Sequence, residues 1–253
     1  MPDYKYCYPG SNVLKNKLNI HDAVELKKTE TTMTFWRLQF LEKNPIQGKF
    51  DFNHLKKIHK YVFQDLYSWA GQIRTTELYK ENSMFCTIRF LNDYAKEIFE
   101  KYFPECKKNA KKSDKFIEVL AKYYGDLNAL HPFREGNGRT QREFARTLCL
   151  KCGYIFDLTN TTHKEMVAAS KLSFQKNDNS KLQEIFSSAV VPVDQYIPKK
   201  LNQLLILSTD DLSINDAGYG YSNNYDSAVV KEYDALYKER IKQLKHKSYN
   251  VSR

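Results

Sequence analysis

His131-Pro132-Phe133-Arg134-Glu135-Gly136-Asn137-Gly138-Arg139-Thr140-Gln141-Arg142 is the stretch on which the reading of this chain turns. Upstream of it, Phe116, Leu120, Tyr123, Leu127 and Leu130 recur at intervals of three and four, the spacing of one buried helix face. Ser113 is placed to start that helix. Downstream, helical patterning resumes from about Gly138 to Cys152 and stops at Gly153, a natural residue just past a helix end. The stretch is therefore a sharp loop joining the end of one long helix to the start of another.

Its chemistry is read residue by residue. Gly136 and Gly138 allow close backbone approach to a ligand. With Asn137 between them, successive N–H groups form a concavity suited to an anion. The following helix points its positive end, with unbonded amides, at the same place. Arg139 and Arg142 are three apart on that helix, so both can face one ligand, and two guanidinium forks beside such a nest suit a polyphosphate. Glu135 adds a hard oxygen ligand for Mg²⁺, which binds through one or two carboxylates plus substrate phosphates. His131, a side chain that titrates near neutrality, is a candidate base for an attacking hydroxyl. Pro132 fixes the exit from the first helix, and Phe133 reads as an anchor to the core. Taken singly, each of these residues has an ordinary explanation as a turn, a cap or surface decoration. Their ordered occurrence within twelve positions is what sets this loop apart.

Working outward, helical periodicity dominates. His21 to Leu41 carries Val24, Leu26, Phe35, Leu38 and Leu41, and Pro45 closes that region. Asn53 is the expected cap of a helix reaching Tyr67, and Phe90 to Phe103 is expected to turn Leu91, Tyr94, Ala95, Ile98 and Tyr102 inward. Lys107 to Lys115 reads as an exposed loop. Between the helices, Thr75-Thr76, the polar turn Lys80 to Ser83 and Met84 to Ile88 read as strand, turn, strand. Further helices are expected over Lys164 to Gln175 and Lys181 to Ser188. Composition shifts after Ala189, with Pro192 and Pro198 marking a joint. Asn215 to Asn224 reads as a linker, and Ser227 to Lys247 as an amphipathic helix. No internal repeat is found.

The 253 residues are 42% hydrophobic and 14% aromatic, enough to fill a core. The net charge of +10 suits nucleic acid, anionic membrane or acidic proteins, but the lysines are spread along the chain, which favours a solvated face. No nucleic-acid motif and no basic-aromatic interleaving appears. Five cysteines, at 7, 86, 106, 149 and 152, form no secreted disulfide pattern, and Cys149 and Cys152 read as buried helix-face thiols rather than zinc ligands. There is no secretory h-region and no membrane-length apolar run. A bacterial cytoplasm is the expected compartment, with delivery into another cell left open, and no membrane partner is expected.

The central stretch resembles the signature of the Fic family, His-x-Phe-x-(Asp/Glu)-Gly-Asn-Gly-Arg-x-x-Arg, at every fixed position. The similarity extends from about Tyr8-Pro9-Gly10 to about Phe186 and includes Trp69-Ala70-Gly71. It implies an all-α fold: a Fic-type helical bundle with a small β-hairpin flap, residues 1–190 forming the core with an N-terminal extension. Residues 191–253 then form a C-terminal appendage carrying the helix expected over 227–247. It also implies transfer of AMP from ATP, with Mg²⁺, to a Tyr, Thr or Ser hydroxyl of a target protein. In that scheme His131 is the catalytic base and Glu135 holds the metal. Gly136, Asn137 and Gly138 form the anion hole, and Arg139 and Arg142 bind the phosphates, Arg142 at the γ end. Met84, Phe85, Cys86 and Thr87 of the flap align the target by main-chain pairing.

Gly138 separates readings within the family, since the kinase-like branch carries Lys there. Many relatives inhibit themselves through (Ser/Thr)-x-x-x-Glu-(Gly/Asn), whose Glu pairs with the second motif arginine. Thr161 with Glu165 and Ser180 with Glu184 have the spacing, but Met166 and Ile185 follow. The expectation is therefore inhibition in trans by a small antitoxin-like protein, with a homodimer allowed. Tyr219, Tyr221 and Tyr225 read first as linker tyrosines and second as sites of self-modification. The alternatives are transfer of UMP or phosphocholine by the same loop, and a basic interaction or toxin protein without transferase activity. A P-loop kinase is disfavoured because no Gly-Lys-(Ser/Thr) occurs.

Overall fold

The computed structural model describes residues 5–80 and 83–197. The helix expected over 227–247 and Tyr219, Tyr221 and Tyr225 lie outside the described residues. Among those described, seven α-helices and two small antiparallel strand pairs make up the chain, in agreement with the helical bundle and flap. They are α1 (Ala23–Lys43), α2 (Phe52–Phe63), β1 (Tyr79–Lys80), β2 (Ser83–Met84), α3 (Leu91–Asn109), α4 (Ser113–Leu130), α5 (Asn137–Lys151), β3 (Tyr154–Phe156), α6 (His163–Lys176), α7 (Ser180–Ala189) and β4 (Val190–Pro192). The chain divides into two compact units. One comprises residues up to 99 together with 127–144; the other comprises 100–126 and 145–197. No described helix is long and apolar enough to cross a membrane.

The first unit carries the loop and the flap. Asp22 caps α1 by accepting a hydrogen bond from the Glu25 N–H at 2.7 Å. Helix α1 buries only Leu26 and Leu41 of the expected apolar row. Its inward residues are Leu26, Glu30, Thr34 and Leu41, whereas Val24 is 70% exposed. The apolar pattern misled here because two polar side chains occupy core positions. Helix α2 is capped by Asp51 rather than Asn53, through the His54 N–H at 2.8 Å, and ends at Phe63 rather than Tyr67. It buries Leu55, Ile58, His59, Val62 and Phe63. Phe50 and Phe99 each meet Phe144 edge to face, with centroids 5.9 and 5.5 Å away, the geometry favoured by ring quadrupoles.

The second unit packs Phe116 flat on Tyr154 at 4.5 Å, and sets Tyr124 and Phe156 edge-on to Phe186. Strand β4 pairs with β3 in the register Tyr154↔Pro192, Ile155↔Val191, Phe156↔Val190. Nothing in the sequence reading anticipated this pair. Its consequence is that the expected boundary at 190/191 falls inside a strand, and packing continues to Tyr196, which is buried. Helix α3 runs through Pro104 to Asn109, so Lys107 and Lys108 sit in its last turn, where cations complement the helix dipole, rather than in a loop. Tyr94 is only half-buried. Cys149 is buried, but Cys152 is half-buried, with burial pushing its thiol up to about 11.

Candidate active site

The loop begins where α4 ends. The His131 N–H still reaches the Leu127 carbonyl at 3.2 Å, but His131 itself takes φ +44°, a left-handed conformation costly for any residue with a Cβ. This ends the helix and turns the imidazole. Its Nδ1 lies 3.2 Å from the Asn128 carbonyl oxygen, an acceptor, which places the proton of the neutral ring on Nδ1 and the lone pair on Nε2. The ring lies flat on Phe85, centroids 3.8 Å apart and planes 13° from parallel. Gln141 donates to the same Leu127 carbonyl at 3.1 Å and so ties the start of α5 to the turn before His131.

Asn137 closes the loop. Its side-chain oxygen accepts from the Phe133 N–H at 2.9 Å and its amide donates to the Phe133 carbonyl at 2.7 Å. With its side chain committed and 4% exposed, Asn137 can offer a ligand only its main chain. Helix α5 starts here, so the amides of Asn137, Gly138 and Arg139 lack intrahelical acceptors. Thr140 donates twice to the Gly136 carbonyl, at 3.1 Å through its N–H and at 2.9 Å through its hydroxyl.

Glu135 is half-fixed. Its Oε1 accepts from the Gly136 N–H at 2.7 Å and from Arg139 Nη2 at 3.3 Å, leaving Oε2 as the oxygen with a coordination position to offer. Among the described residues no group of three or more His, Cys, Asp or Glu is arranged to hold a metal ion. One carboxylate together with water and substrate phosphates is the donor set that Mg²⁺ commonly takes.

Two residues that sequence reasoning missed hold this loop. His59, fully buried, accepts the Gly71 N–H on Nδ1 at 2.8 Å and donates from Nε2 to the Glu135 carbonyl at 3.0 Å. It stacks on Phe133, itself fully buried, at 3.8 Å. Burial lowers the His59 pKa to about 4, which keeps the ring neutral and its two hydrogen bonds defined. Arg74, 1% exposed, donates from Nε to the His131 carbonyl at 2.8 Å, from Nη1 to the Thr76 carbonyl at 2.9 Å and from Nη2 to the Cys86 carbonyl, while its own N–H bonds the Pro132 carbonyl at 2.8 Å. The root of the hairpin is thus fastened to the His131 turn by one guanidinium. The only sequence signal was an arginine three residues after Gly71.

The hairpin is shorter than expected. It pairs Tyr79↔Met84 and Lys80↔Ser83, and Thr75-Thr76 forms no strand because its chain bonds Arg74 and Tyr6 instead. Phe85 donates to the Leu78 carbonyl at 3.1 Å and Cys86 to the Ala129 carbonyl at 3.0 Å. Those two amides are spent within the protein. Ladder alternation turns the main-chain groups of Met84 away from β1, and its side chain is 45% exposed. Thr87 is half-buried beside Ile88, whose N–H bonds Glu77.

The two arginines separate. Arg142 Nη1 lies 3.4 Å from where a Cβ on Gly138 would stand, at the exposed mouth of the loop. Arg139 is turned inward, with Nη2 2.6 Å from Glu30 and Nη1 3.0 Å from Thr34, its face 4.8 Å from the Phe63 centroid. Glu165, one of the two spaced inhibitory candidates, closes a capping box with Thr162.

Residues 49–149 match the Fic/DOC family. The chain is 34% identical over 185 residues to the Salmonella typhimurium protein named "Probable protein adenylyltransferase Fic", covering 73% of this chain and 91% of that one. It is 38% identical over 174 residues to the protein adenylyltransferase VbhT of Bartonella schoenbuchensis, covering 69% of this chain but 36% of that longer protein. Among solved structures, the N-terminal Fic domain of a VirB-translocated Bep effector protein from Bartonella quintana, with bound ADP, superposes with a TM-score of 0.69 at 26% identity, covering 76% of this chain and 97% of that one.

Proposed function

The chain belongs to the Fic/DOC family, and from that premise we propose that it transfers AMP from ATP to a Tyr, Thr or Ser hydroxyl of a target protein. One observation carries this reading. The lone pair of His131 Nε2, one oxygen of Glu135 and the amide end of α5 belong to a single loop that His59, Asn137 and Arg74 hold by hydrogen bonds.

In the proposed reaction, His131 Nε2 takes the proton of the target hydroxyl as its oxygen attacks the α-phosphorus. The bond from that phosphorus to the bridging oxygen breaks, and pyrophosphate leaves. The amides of Asn137, Gly138 and Arg139 and the guanidinium of Arg142 receive the phosphate charge. Mg²⁺, when bound at Glu135, supplies charge neutralisation at the leaving phosphates. The exposed edge at Met84 suits main-chain pairing with an extended target segment, while Phe85 and Cys86 serve the inner side by holding His131. Gly138 at the loop mouth favours AMP transfer over phosphate transfer. Regulation in trans by a small protein supplying a Glu fits the commitment of Glu165 to its helix cap. The proposed location is the bacterial cytoplasm, with delivery into another cell as the alternative.

The test is incubation with ATP labelled at the α-phosphate, Mg²⁺ and lysate, comparing the unaltered chain with His131→Ala. The expected result is a labelled protein band that the variant abolishes while still binding ATP. Equal labelling by the variant overturns His131 as the base.

A further inference from the structure

Glu30 lies on α1, far along the chain from the loop, and is 3% exposed. A carboxylate so buried is costly unless every oxygen is engaged, and here both are. Oε2 accepts the Tyr67 hydroxyl, and Oε1 accepts Arg139 Nη2 at 2.6 Å. Arg139 is engaged in turn, with Nη1 on Thr34 at 3.0 Å and one face over Phe63 at 4.8 Å. Only the longer contact of Nη2, 3.3 Å, reaches Glu135. One cation is thus shared unequally between two carboxylates, with the buried one holding it more tightly.

We propose that Glu30 is a positioning residue that keeps Arg139 from neutralising Glu135, so that Glu135 stays available to a divalent cation. Arg139 on this account orients the metal-binding carboxylate rather than binding a nucleotide phosphate. This rests on the reading of Glu135 as the Mg²⁺ ligand. It concerns the first arginine of the loop, not the second. With Glu30 uncharged, the nearest carboxylate left to Arg139 is Glu135, and a full ion pair there competes directly with the metal. Outer partners of metal ligands typically change metal affinity by about 10- to 100-fold when altered.

The measurement is the Mg²⁺ concentration giving half-maximal binding of a fluorescent non-hydrolysable ATP analogue, and the analogue's affinity in EDTA. For Glu30→Gln the expected result is a Mg²⁺ midpoint raised on the order of tenfold, with affinity in EDTA unchanged. Tyr67→Phe, which removes only a hydrogen bond to Glu30, is expected to shift the midpoint in the same direction by less. If Glu30→Gln does not fold, Tyr67→Phe decides. An unchanged midpoint in the folded variants overturns the proposal. So does a tighter grip on the analogue in EDTA, which would make Arg139 a phosphate ligand that Glu30 merely balances. If the unaltered chain binds the analogue equally well without Mg²⁺, the metal role of Glu135 fails first, and the Glu30 proposal falls with it.

Discussion

A Cβ placed on Gly136 would stand 2.0 Å from Cζ of Phe63, whose ring is fully buried on α2. Gly136 also has φ +79°. Gly138, two residues on, would meet nothing closer than Arg142 Nη1 at 3.4 Å, the mobile end of a long side chain. Packing and backbone therefore require the first glycine of the loop, whereas no contact within the fold requires the second.

It follows that Gly136→Ala is expected to destabilise the protein by more than about 2 kcal/mol through overpacking and strain, seen as a lower melting temperature. Gly138→Ala is expected to leave the melting temperature within a few degrees, since surface changes typically cost under about 0.5 kcal/mol. It is nonetheless expected to weaken ATP binding, measured by titration with a fluorescent analogue. Gly138→Ala with unimpaired nucleotide binding would remove the loop mouth from the phosphate site.

Phe85 supplies the ring on which His131 rests, so Phe85→Ala is expected to slow AMP transfer on the order of tenfold, the equivalent of one aromatic contact of about 1.4 kcal/mol. Nucleotide affinity is expected to hold, because Phe85 belongs to the hairpin and not to α5. Phe85→Trp is expected to recover part of the rate. Single-turnover labelling at saturating ATP reads this; a variant as fast as the parent would show that the stacking does not orient the imidazole.

Stability is expected to depend on pH through His59. Its folded-state pKa near 4 lies below the unfolded value of 6.5, so the unfolded chain binds the extra proton between those values. Stability is then full above about pH 6.5 and is lost as pH falls toward 4, by roughly 3 kcal/mol for this group. Burial lowers His54 in the same direction. Chemical denaturation at pH 7 and pH 5 should show the loss, and a folded His59→Gln should show a shallower slope. An identical slope in that variant would assign the effect to other groups.

The helices, the sharp turn at His131 and the start of α5 were legible because each leaves a local mark: a periodicity, a Pro or Gly at a fixed offset, a cluster of donors. What was not legible depends on distant pairing. Glu30 and Thr34 break the apolar row of α1 because their partner is Arg139 on α5, more than a hundred positions away. Arg74 and His59 looked like ordinary residues before the hairpin and within an amphipathic helix, yet their donors meet the carbonyls of His131 and Glu135. Strands β3 and β4 were missed because Tyr154–Phe156 is too short to show an alternation, and its partner lies beyond two intervening helices. The flap was found by composition, but its inner residues are fixed by the His131 turn, which no hairpin pattern reveals.

The proposed function requires that the loop move AMP and not phosphate. Parallel incubations of the purified chain and lysate with ATP carrying label at the α- or the γ-phosphate, each with Mg²⁺, test it most directly. The expected result is a protein band labelled from the α position only, with the γ-label recovered in pyrophosphate. A band labelled from the γ position only would contradict it and make the loop a phosphoryl-transfer site.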